Sequence, residues 1–236
     1  MWYYQSKRDD SQVIDKLNEL AEQLPTRGFD EYYNRKRVLR IYRQMGLNIR
    51  RKRKKRLPSR LKEPLVVPKA INHTWSMDFM SDALTYGRKI RILNVIDDYN
   101  REALAIEPDY CFPAQQVVNV LEEICFWRGK PVQIRVDNGP EFLSKAFVGW
   151  CEKNEVHIQY IQPGKPVQNA YIERFNRLYR EDILDAYMFD NLKQIKQLTA
   201  EWMEDYNRCH PHKSLGRKSP KNYSESNRKL SKLLLP

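Results

Sequence analysis

The sequence predicts an α/β protein with a mixed five-stranded sheet, helices on both faces of the sheet, and a helical and basic N-terminal arm. Three apolar segments follow one another with only short turns between them, which indicates an antiparallel meander. Strand and helix patterns then alternate, which indicates parallel pairing through crossover helices. A segment with three prolines separates these strands from earlier amphipathic helices.

The N-terminal region, residues 1–48, has helical periodicity in two stretches. Apolar residues recur at helical spacing in DDSQVIDKLNELAEQLP and again in YYNRKRVLRIYRQMGL, which ends near Gly46. We therefore expect two or three short helices. They could form the remnant of a helix-turn-helix module or only a structural lead-in to the rest of the chain, and the pattern favours neither.

A basic linker, residues 49–70, follows these helices. Its unbroken basic run, RRKRKKR, consists of Arg50, Arg51, Lys52, Arg53, Lys54, Lys55 and Arg56, and prolines at positions 58, 64 and 68 indicate an extended chain. The whole sequence has 42 Lys and Arg against 30 Asp and Glu, a formal net charge of +12. Such a run is usually a solvated arm, and the basic total favours a nucleic acid over a membrane surface as the partner.

Composition argues against several classes of protein. No stretch reaches the roughly 18 consecutive apolar residues of a membrane span, and the N-terminus lacks a secretory signal, so we expect a cytoplasmic protein. The four cysteines lie far apart without a C-x-x-C pair, which indicates neither a zinc site nor a disulfide framework. The four histidines are dispersed, and we expect none of them to be catalytic.

The core is predicted for residues 71–190 and begins with three strands, TWSMDFM, GRKIRILNVIDDYN and REALAIEP. Further along, AQQVVNVLEEICFWRG is predicted as a helix, VQIRVDNG as a strand, EFLSKAFVGWCEKN as a helix, VHIQYIQ as the fifth strand, and NAYIERFNRLYREDILDAYMF as one long helix. A C-terminal helix and tail are expected at residues 191–236.

Three acids occupy unusual places in this pattern: Asp78 lies inside the first strand, Asp137 ends the fourth, and Glu173 lies in the first turns of the long helix. Ordinary explanations are a solvent-facing Asp78, a D-N-G-P turn at Asp137, and an ion pair of Glu173 with Arg177. However, burying a lone carboxylate is unfavourable, so an acid inside an apolar strand needs a reason. If the first and fourth strands pair in the middle of the sheet, Asp78 and Asp137 are neighbours.

The motifs WSMDFM, VDNGPEF and GKPVQNAYIERFNRLYR resemble the DDE catalytic core of retroviral-integrase-type enzymes. More narrowly, they resemble bacterial insertion-sequence transposases whose core is encoded in a second reading frame. As in that family, 35 residues lie between the last two acids, and a basic residue, Arg180, stands seven positions after Glu173. YNRCHPHKSLGRKSP, at residues 206–220, resembles the closing motif of the family, so the resemblance runs from about Trp75 to Pro220.

This resemblance implies an RNase-H-like fold and a DNA transposase, a polynucleotidyl transferase that cleaves the ends of an insertion element and transfers them into target DNA. It implies that Asp78, Asp137 and Glu173 are catalytic and hold two divalent cations, Mg²⁺ or Mn²⁺. Asp78 would bridge both cations.

The expected partners are DNA, at the element ends and the target, further copies of the chain on DNA, and an upstream-frame DNA-binding protein, either as a separate partner or as a fusion with this chain. No membrane is expected, and the active protein would lie on the bacterial nucleoid. Residues predicted to contact DNA are the basic run together with Asn138, Gln168, Asn169, Arg177 and Arg180.

Three alternatives stay open. An RNase-H-like nuclease would use the same acids but would not join DNA ends. A DNA-binding protein with an inactive core would not need the acids. An RNA-binding module would account for the basic run but would leave the spacing of the acids unexplained.

Overall fold

The computed structural model describes residues 10–23, 35–45, 67–162 and 166–233, and the basic run Arg50–Arg56 lies outside these ranges. The chain divides into two units, Met1–Arg60 and Leu61–Pro236, each of which is described by itself. Within the described ranges, no helix is both long enough and apolar enough to cross a membrane. The domain boundaries at residues 48, 70 and 190 stay predictions.

The first unit contains a pair of amphipathic helices, α1 (Ser11–Gln23) and α2 (Arg35–Gln44). The apolar residues buried between them are Val13, Leu17, Val38 and Ile41. Asp10, just before α1, accepts hydrogen bonds from Arg37 and Arg40 on α2. These two guanidinium groups lower the pKa of Asp10 and connect the start of α1 to α2.

The second unit is built on a five-stranded mixed sheet, as predicted. Its strands are β1 (Thr74–Ala83), β2 (Lys89–Asp97), β3 (Ala103–Asp109), β4 (Gln133–Val136) and β5 (His157–Tyr160), in the spatial order β3-β2-β1-β4-β5. The first three strands pair antiparallel, whereas β4 pairs parallel with both β1 and β5. The first and fourth strands therefore do pair in the middle of the sheet.

Helices cover both faces of this sheet. On one face, apolar residues of the sheet pack against α3 (Ala114–Arg128) and α4 (Lys145–Lys153). On the other face, a second apolar cluster packs against α5 (Ala170–Tyr179) and α6 (Leu192–Cys209). The last described helix, α7 (Pro220–Leu233), packs on α6.

Two helices differ from their predictions. The segment predicted as one long helix is α5 followed by a π-helical turn, Arg180–Leu184, because the N–H of Asp185 bonds to the carbonyl of Arg180. Helix α4 begins only at Lys145, because the Ser144 side chain caps it by accepting from the N–H of Phe147.

Candidate active site

Asp78 lies in the middle of β1, and its side chain points to the face of the sheet that α5 covers. Its neighbour Met77 belongs to the apolar cluster on the opposite face, so alternation along the strand turns Asp78 towards α5. The Oδ2 atom of Asp78 accepts from Nδ2 of Asn176 on α5 at 2.8 Å, and Oδ1 accepts from the N–H of Phe79 at 2.9 Å. Asp78 is therefore partly buried and held by two hydrogen bonds, unlike a solvent-facing strand residue.

Asp137 is the first residue after β4, and the register of the sheet relates it to Asp78. The parallel pairing of β1 with β4 sets Ser76 opposite Arg135. Continued by two residues along both strands, the same register sets Asp78 opposite Asp137. Because Val136 packs in the cluster under α3 and α4, Asp137 falls on the same face as Asp78.

The D-N-G-P turn that follows β4 holds the carboxylate of Asp137 in place. The N–H of Gly139 donates to Oδ1 of Asp137 at 2.9 Å, a turn that Asp and Gly favour. A Cβ atom at position 139 would lie 2.9 Å from that oxygen, so glycine leaves the space that the carboxylate occupies. Nδ2 of Asn138 donates to the carbonyl of Ile161 at 3.1 Å and connects the turn to the chain after β5.

Glu173 lies in the first turn of α5 with its side chain exposed. Asn176, three residues later on the same side of the helix, is buried and reaches Asp78. Among the residues that the structure describes, no Lys or Arg lies within ion-pair distance of Glu173, so the expected pair with Arg177 is not formed. As far as the described residues show, the helix therefore presents a carboxylate without an ion-pair partner on the side where Asn176 meets β1.

The three acids Asp78, Asp137 and Glu173, termed the anionic cluster below, influence one another electrostatically. The pKa of Asp78 is raised to about 6, mainly by burial and further by the negative charges of Asp137 and Glu173. In the described parts of the chain, no basic side chain forms an ion pair with any of the three. In those same parts, no three His, Cys, Asp or Glu side chains lie close enough together to hold a metal ion as they stand.

Two asparagines lie next to the anionic cluster, and the sequence predicted a role at the acids for neither of them, although it placed Asn176 on the same side of the helix as Glu173. Nδ2 of Asn94 donates to Oδ1 of Asn176 at 2.7 Å, and Asn176 in turn donates to Asp78. Asn94 lies on β2 directly opposite Asp78 and has no exposed surface. The available signals were a lone amide inside the apolar strand RILNVI, and an amide three residues after Glu173 on the same helix face.

A buried ionic network lies on the same face of the sheet as the anionic cluster. Its members on β1 and β4 stand two residues before Asp78 and Asp137. Nη1 of Arg135 donates to Oδ2 of Asp98 at 2.5 Å, and the Ser76 hydroxyl donates to Oδ1 of Asp98 at 2.7 Å. Nε of Arg135 also donates to Gln159 on β5 at 3.1 Å. Burial raises the pKa of Asp98 to about 6, against the opposing effect of Arg135. The network connects β1, β4, β5 and the turn after β2.

Two arginines of the predicted DNA contacts lie on or just after α5, in different surroundings. Arg177 is exposed. Arg180 donates through Nη2 to the carbonyl of Ser81 at 2.8 Å, and its Nη1 lies 3.7 Å from a carboxylate oxygen of Asp82. Arg180 is thus already engaged with the end of β1.

The remaining predicted contacts lie just before α5 and in the turn after β4. Oε1 of Gln168 accepts from the N–H of Gln162 at 3.0 Å, and Asn169 is 6% exposed at the N-cap position without a side-chain capping bond. Asn138 is exposed in its turn. DNA contact stays a prediction for all five of these residues, as it does for the basic run.

Comparison with known proteins identifies the family. The Integrase core domain matches residues 68–166 and, in a second form, residues 154–220. An uncharacterised protein of the insertion element IS407 from Burkholderia multivorans is 40% identical over 195 residues, which cover 83% of this chain and 70% of that protein. The chain belongs to the insertion-element transposases with an integrase core. The predicted family is thereby confirmed.

Two further relatives of this transposase differ in how much of their length it covers. An uncharacterised protein of the insertion element IS476 from Xanthomonas euvesicatoria is 38% identical over 83% of this chain, but the chain spans only 56% of that relative. The transposase InsD of the insertion element IS2 from Escherichia coli is 26% identical over 91% of this chain and 79% of that protein.

Solved structures similar to the transposase confirm the predicted RNase-H-like fold. The catalytic core domain of HTLV-2 integrase in complex with magnesium matches with a TM-score of 0.53 and 17% identity, covering 68% of this chain and 99% of that one. A chain of the simian T-cell lymphotropic virus intasome matches with a TM-score of 0.59 and 18% identity. The match covers 76% of this chain and 63% of that one. At such identities the similarity concerns the fold.

Proposed function

We propose that this transposase cleaves DNA at the ends of an insertion element and transfers those ends into target DNA, using Asp78, Asp137 and Glu173 as catalytic carboxylates and divalent cations as cofactors. The observation that carries the proposal is the anionic cluster. Its acids come from three separate elements, and the pKa of Asp78 is raised to about 6 in part by the other two. Like charges in one site are unfavourable unless a cation balances them.

The chemistry of the donor set fits a hard divalent cation. Carboxylate oxygens are the ligands that Mg²⁺ and Mn²⁺ prefer, and Mg²⁺ keeps part of its water shell, so a few carboxylates suffice. In our proposal Asp78 would contribute to holding both cations, Asp137 would help to hold one of them and Glu173 the other. Glu173 is exposed, so a change of its side-chain rotamer can bring its oxygens towards Asp78. The HTLV-2 integrase core was solved in complex with magnesium, which supports the choice of cation.

When bound, the cations activate the attacking oxygen and stabilise the charge that develops on the leaving oxygen. The protein determines where this happens. Asp78 is the fixed member of the site, because β1, the Phe79 N–H and Asn176 hold it. Asp137 approaches from the end of β4, and Glu173 approaches from the first turn of α5.

The proposed reaction has two displacements at phosphorus. A water oxygen first bonds to the phosphorus at the element end, and the bond from that phosphorus to the 3′-oxygen of the element strand breaks, which leaves a 3′-hydroxyl. This hydroxyl then bonds to a phosphorus of the target DNA, and a target 3′-oxygen leaves. No covalent bond between DNA and protein is needed, because water and then the DNA 3′-hydroxyl attack phosphorus directly. In each displacement the attacking oxygen gives up a proton and the leaving oxygen takes one up.

DNA binding is proposed for the basic run and for the side of α5 that carries Glu173. Arg177 is exposed one turn after Glu173 and can meet a phosphate there. Arg180 contacts the end of β1, so it would have to give up or share those contacts in order to bind DNA. We propose that several copies of the chain assemble on the two element ends, with an upstream-frame protein as a further partner in end recognition.

The direct test is strand joining with a DNA end whose 3′-hydroxyl is already exposed, incubated with target DNA and Mg²⁺ or Mn²⁺. We expect joined products with either cation and none in EDTA. Hydrolysis without joining would indicate an RNase-H-like nuclease. Binding to DNA with neither reaction would indicate an inactive core.

A further inference from the structure

We propose that Asn94 is a positioning residue for the active site: it fixes the orientation of the Asn176 amide, so that Asn176 presents its NH₂ group to Asp78. The inference rests on the proposed function of Asp78. The amide of Asn94 donates to Asn176 and acts through it, because Asn176 in turn donates to Asp78 across the interface of α5 with the sheet.

The two hydrogen bonds from Asn94 to Asn176 and from Asn176 to Asp78 are termed the relay below. Their directions follow from the carboxylate of Asp78 at the end of the relay. An ionised carboxylate can only accept hydrogen bonds, so Asn176 has to turn its NH₂ group towards Asp78. Its carbonyl oxygen then faces Asn94 at 2.7 Å, and only the NH₂ group of Asn94 can donate to it. The charge on Asp78 and the donor of Asn94 therefore favour the same orientation of the Asn176 amide, one from each side.

The relay leaves Asn94 itself in an unfavourable environment. Asn94 has no exposed surface, and within the described part of the chain its own Oδ1 is buried without a hydrogen-bond partner. A buried polar atom without a partner is unfavourable for folding. The nearest residues on the same face of β2, Ile92 and Ile96, pack in an apolar cluster, so an apolar side chain would suit position 94 better. An asparagine at position 94 is thus not explained by the stability of the sheet. It is explained by the hydrogen bond that its NH₂ group donates to the carbonyl oxygen of Asn176.

Loss of the Asn94 donor would free the Asn176 amide to rotate. The final torsion of an asparagine side chain is broad and has two similar orientations. In the wrong one, the carbonyl of Asn176 faces the carboxylate of Asp78, and two acceptors repel each other. The carboxylate would then lose the hydrogen bond that holds Oδ2.

The test uses Asn94→Leu, which keeps the branched shape of the side chain and removes its donor. Asn207→Leu is the structural control, because Asn207 is also a buried asparagine but bonds both backbone groups of Ala103 on β3. Strand joining with the full chain gives kcat and the KM for DNA, and thermal unfolding gives Tm. In the metal-free protein, the side-chain NH₂ protons of Asn176 are followed by NMR with selective ¹⁵N-asparagine labelling, assigned with Asn176→Ala.

For Asn94→Leu we expect kcat to fall about 10- to 100-fold, as is typical when a residue supporting a metal ligand is lost, with KM and Tm nearly unchanged. In wild type we expect an NH₂ proton of Asn176 that exchanges slowly with solvent. In Asn94→Leu this slow exchange should be lost. Asn207→Leu should lower Tm and leave the Asn176 signal as in wild type.

Wild-type kcat in Asn94→Leu, or an unchanged Asn176 NH₂ signal, would overturn the inference. A fall in Tm as large as that of Asn207→Leu would also overturn it, because it would make Asn94 a structural residue. An inactive wild type would contradict the proposed function instead, and the NMR signal would then decide the inference by itself.

Discussion

Asp137 stands where the parallel register of β1 and β4, continued by two residues, sets it opposite Asp78. The two acids are separated by 58 residues of sequence, and a meander and a helix lie between them. Their proximity thus depends on the order β2-β1-β4 in the middle of the sheet. The sheet brings two of the acids together, and α5 supplies the third.

Gly139→Ala is expected to reduce strand joining about tenfold or more, since displacement of a catalytic group by a fraction of an ångström is costly in rate. The new Cβ would lie 2.9 Å from Oδ1 of Asp137 and push that carboxylate out of its turn. The measurement is the joining rate together with the free energy of unfolding from urea titration.

The matched control is Gly149→Ala on α4, where a Cβ would meet nothing within 4 Å. It should keep full activity and stabilise the protein by about 0.5 to 1 kcal/mol, because alanine is the better helix former. Equal activity in the two variants would show that the position of Asp137 does not matter.

The raised pKa of Asp78 predicts a pH-dependent instability of the metal-free protein. The folded pKa of about 6 lies above the ordinary value of 3.8, so the folded state is progressively destabilised as pH rises from 3.8 through 6. In EDTA at pH 7, Asp78→Asn should therefore be more stable than wild type, by up to about 3 kcal/mol. The difference in unfolding free energy should shrink as pH is lowered towards 4.5. A difference that does not vary with pH would contradict the electrostatic account of the anionic cluster.

Mg²⁺ should reverse this order of stability at pH 7. A cation bound by the anionic cluster stabilises the folded state of wild type in proportion to its occupancy, so Tm should rise with Mg²⁺ concentration. Asp78→Asn should show a much smaller rise. Equal rises in the two proteins would mean that Mg²⁺ binds elsewhere.

Arg135→Met should destabilise the protein by about 3 kcal/mol or more at pH 7.5, because it leaves the carboxylate of Asp98 buried without its cation. Urea titration measures the effect. Arg208→Met is the control: Arg208 pairs with Glu204 on the exposed side of α6, and its loss should change stability by less than about 1 kcal/mol. Similar losses in both variants would argue against a special role for the buried network under the acids.

The strands, and the positions of the three acids on β1, after β4 and on α5, could be predicted from the sequence because their signals are local. Apolar periodicity marks β1 to β5, and the acids stand in motifs with family spacing. The Asn94 to Asn176 contact could not be predicted, because it joins residues 82 positions apart across a helix and a strand. The ion pair of Arg135 with Asp98 could not be predicted either, because it joins residues 37 positions apart. The π-helical turn at Arg180–Leu184 was also missed, since a change from i+4 to i+5 bonding leaves the apolar periodicity almost unaltered.

We propose that Asp78, Asp137 and Glu173 together hold the cations for strand transfer. The most direct measurement is the Mg²⁺-dependent joining rate of Asp78→Asn, Asp137→Asn and Glu173→Gln, with Glu181→Gln on the exposed side of the π-helical turn as the control. Each of these three variants should lose joining by about 100-fold or more, whereas Glu181→Gln should keep the wild-type rate. Joining at the wild-type rate by any one of the three would remove that residue from the site and contradict the claim.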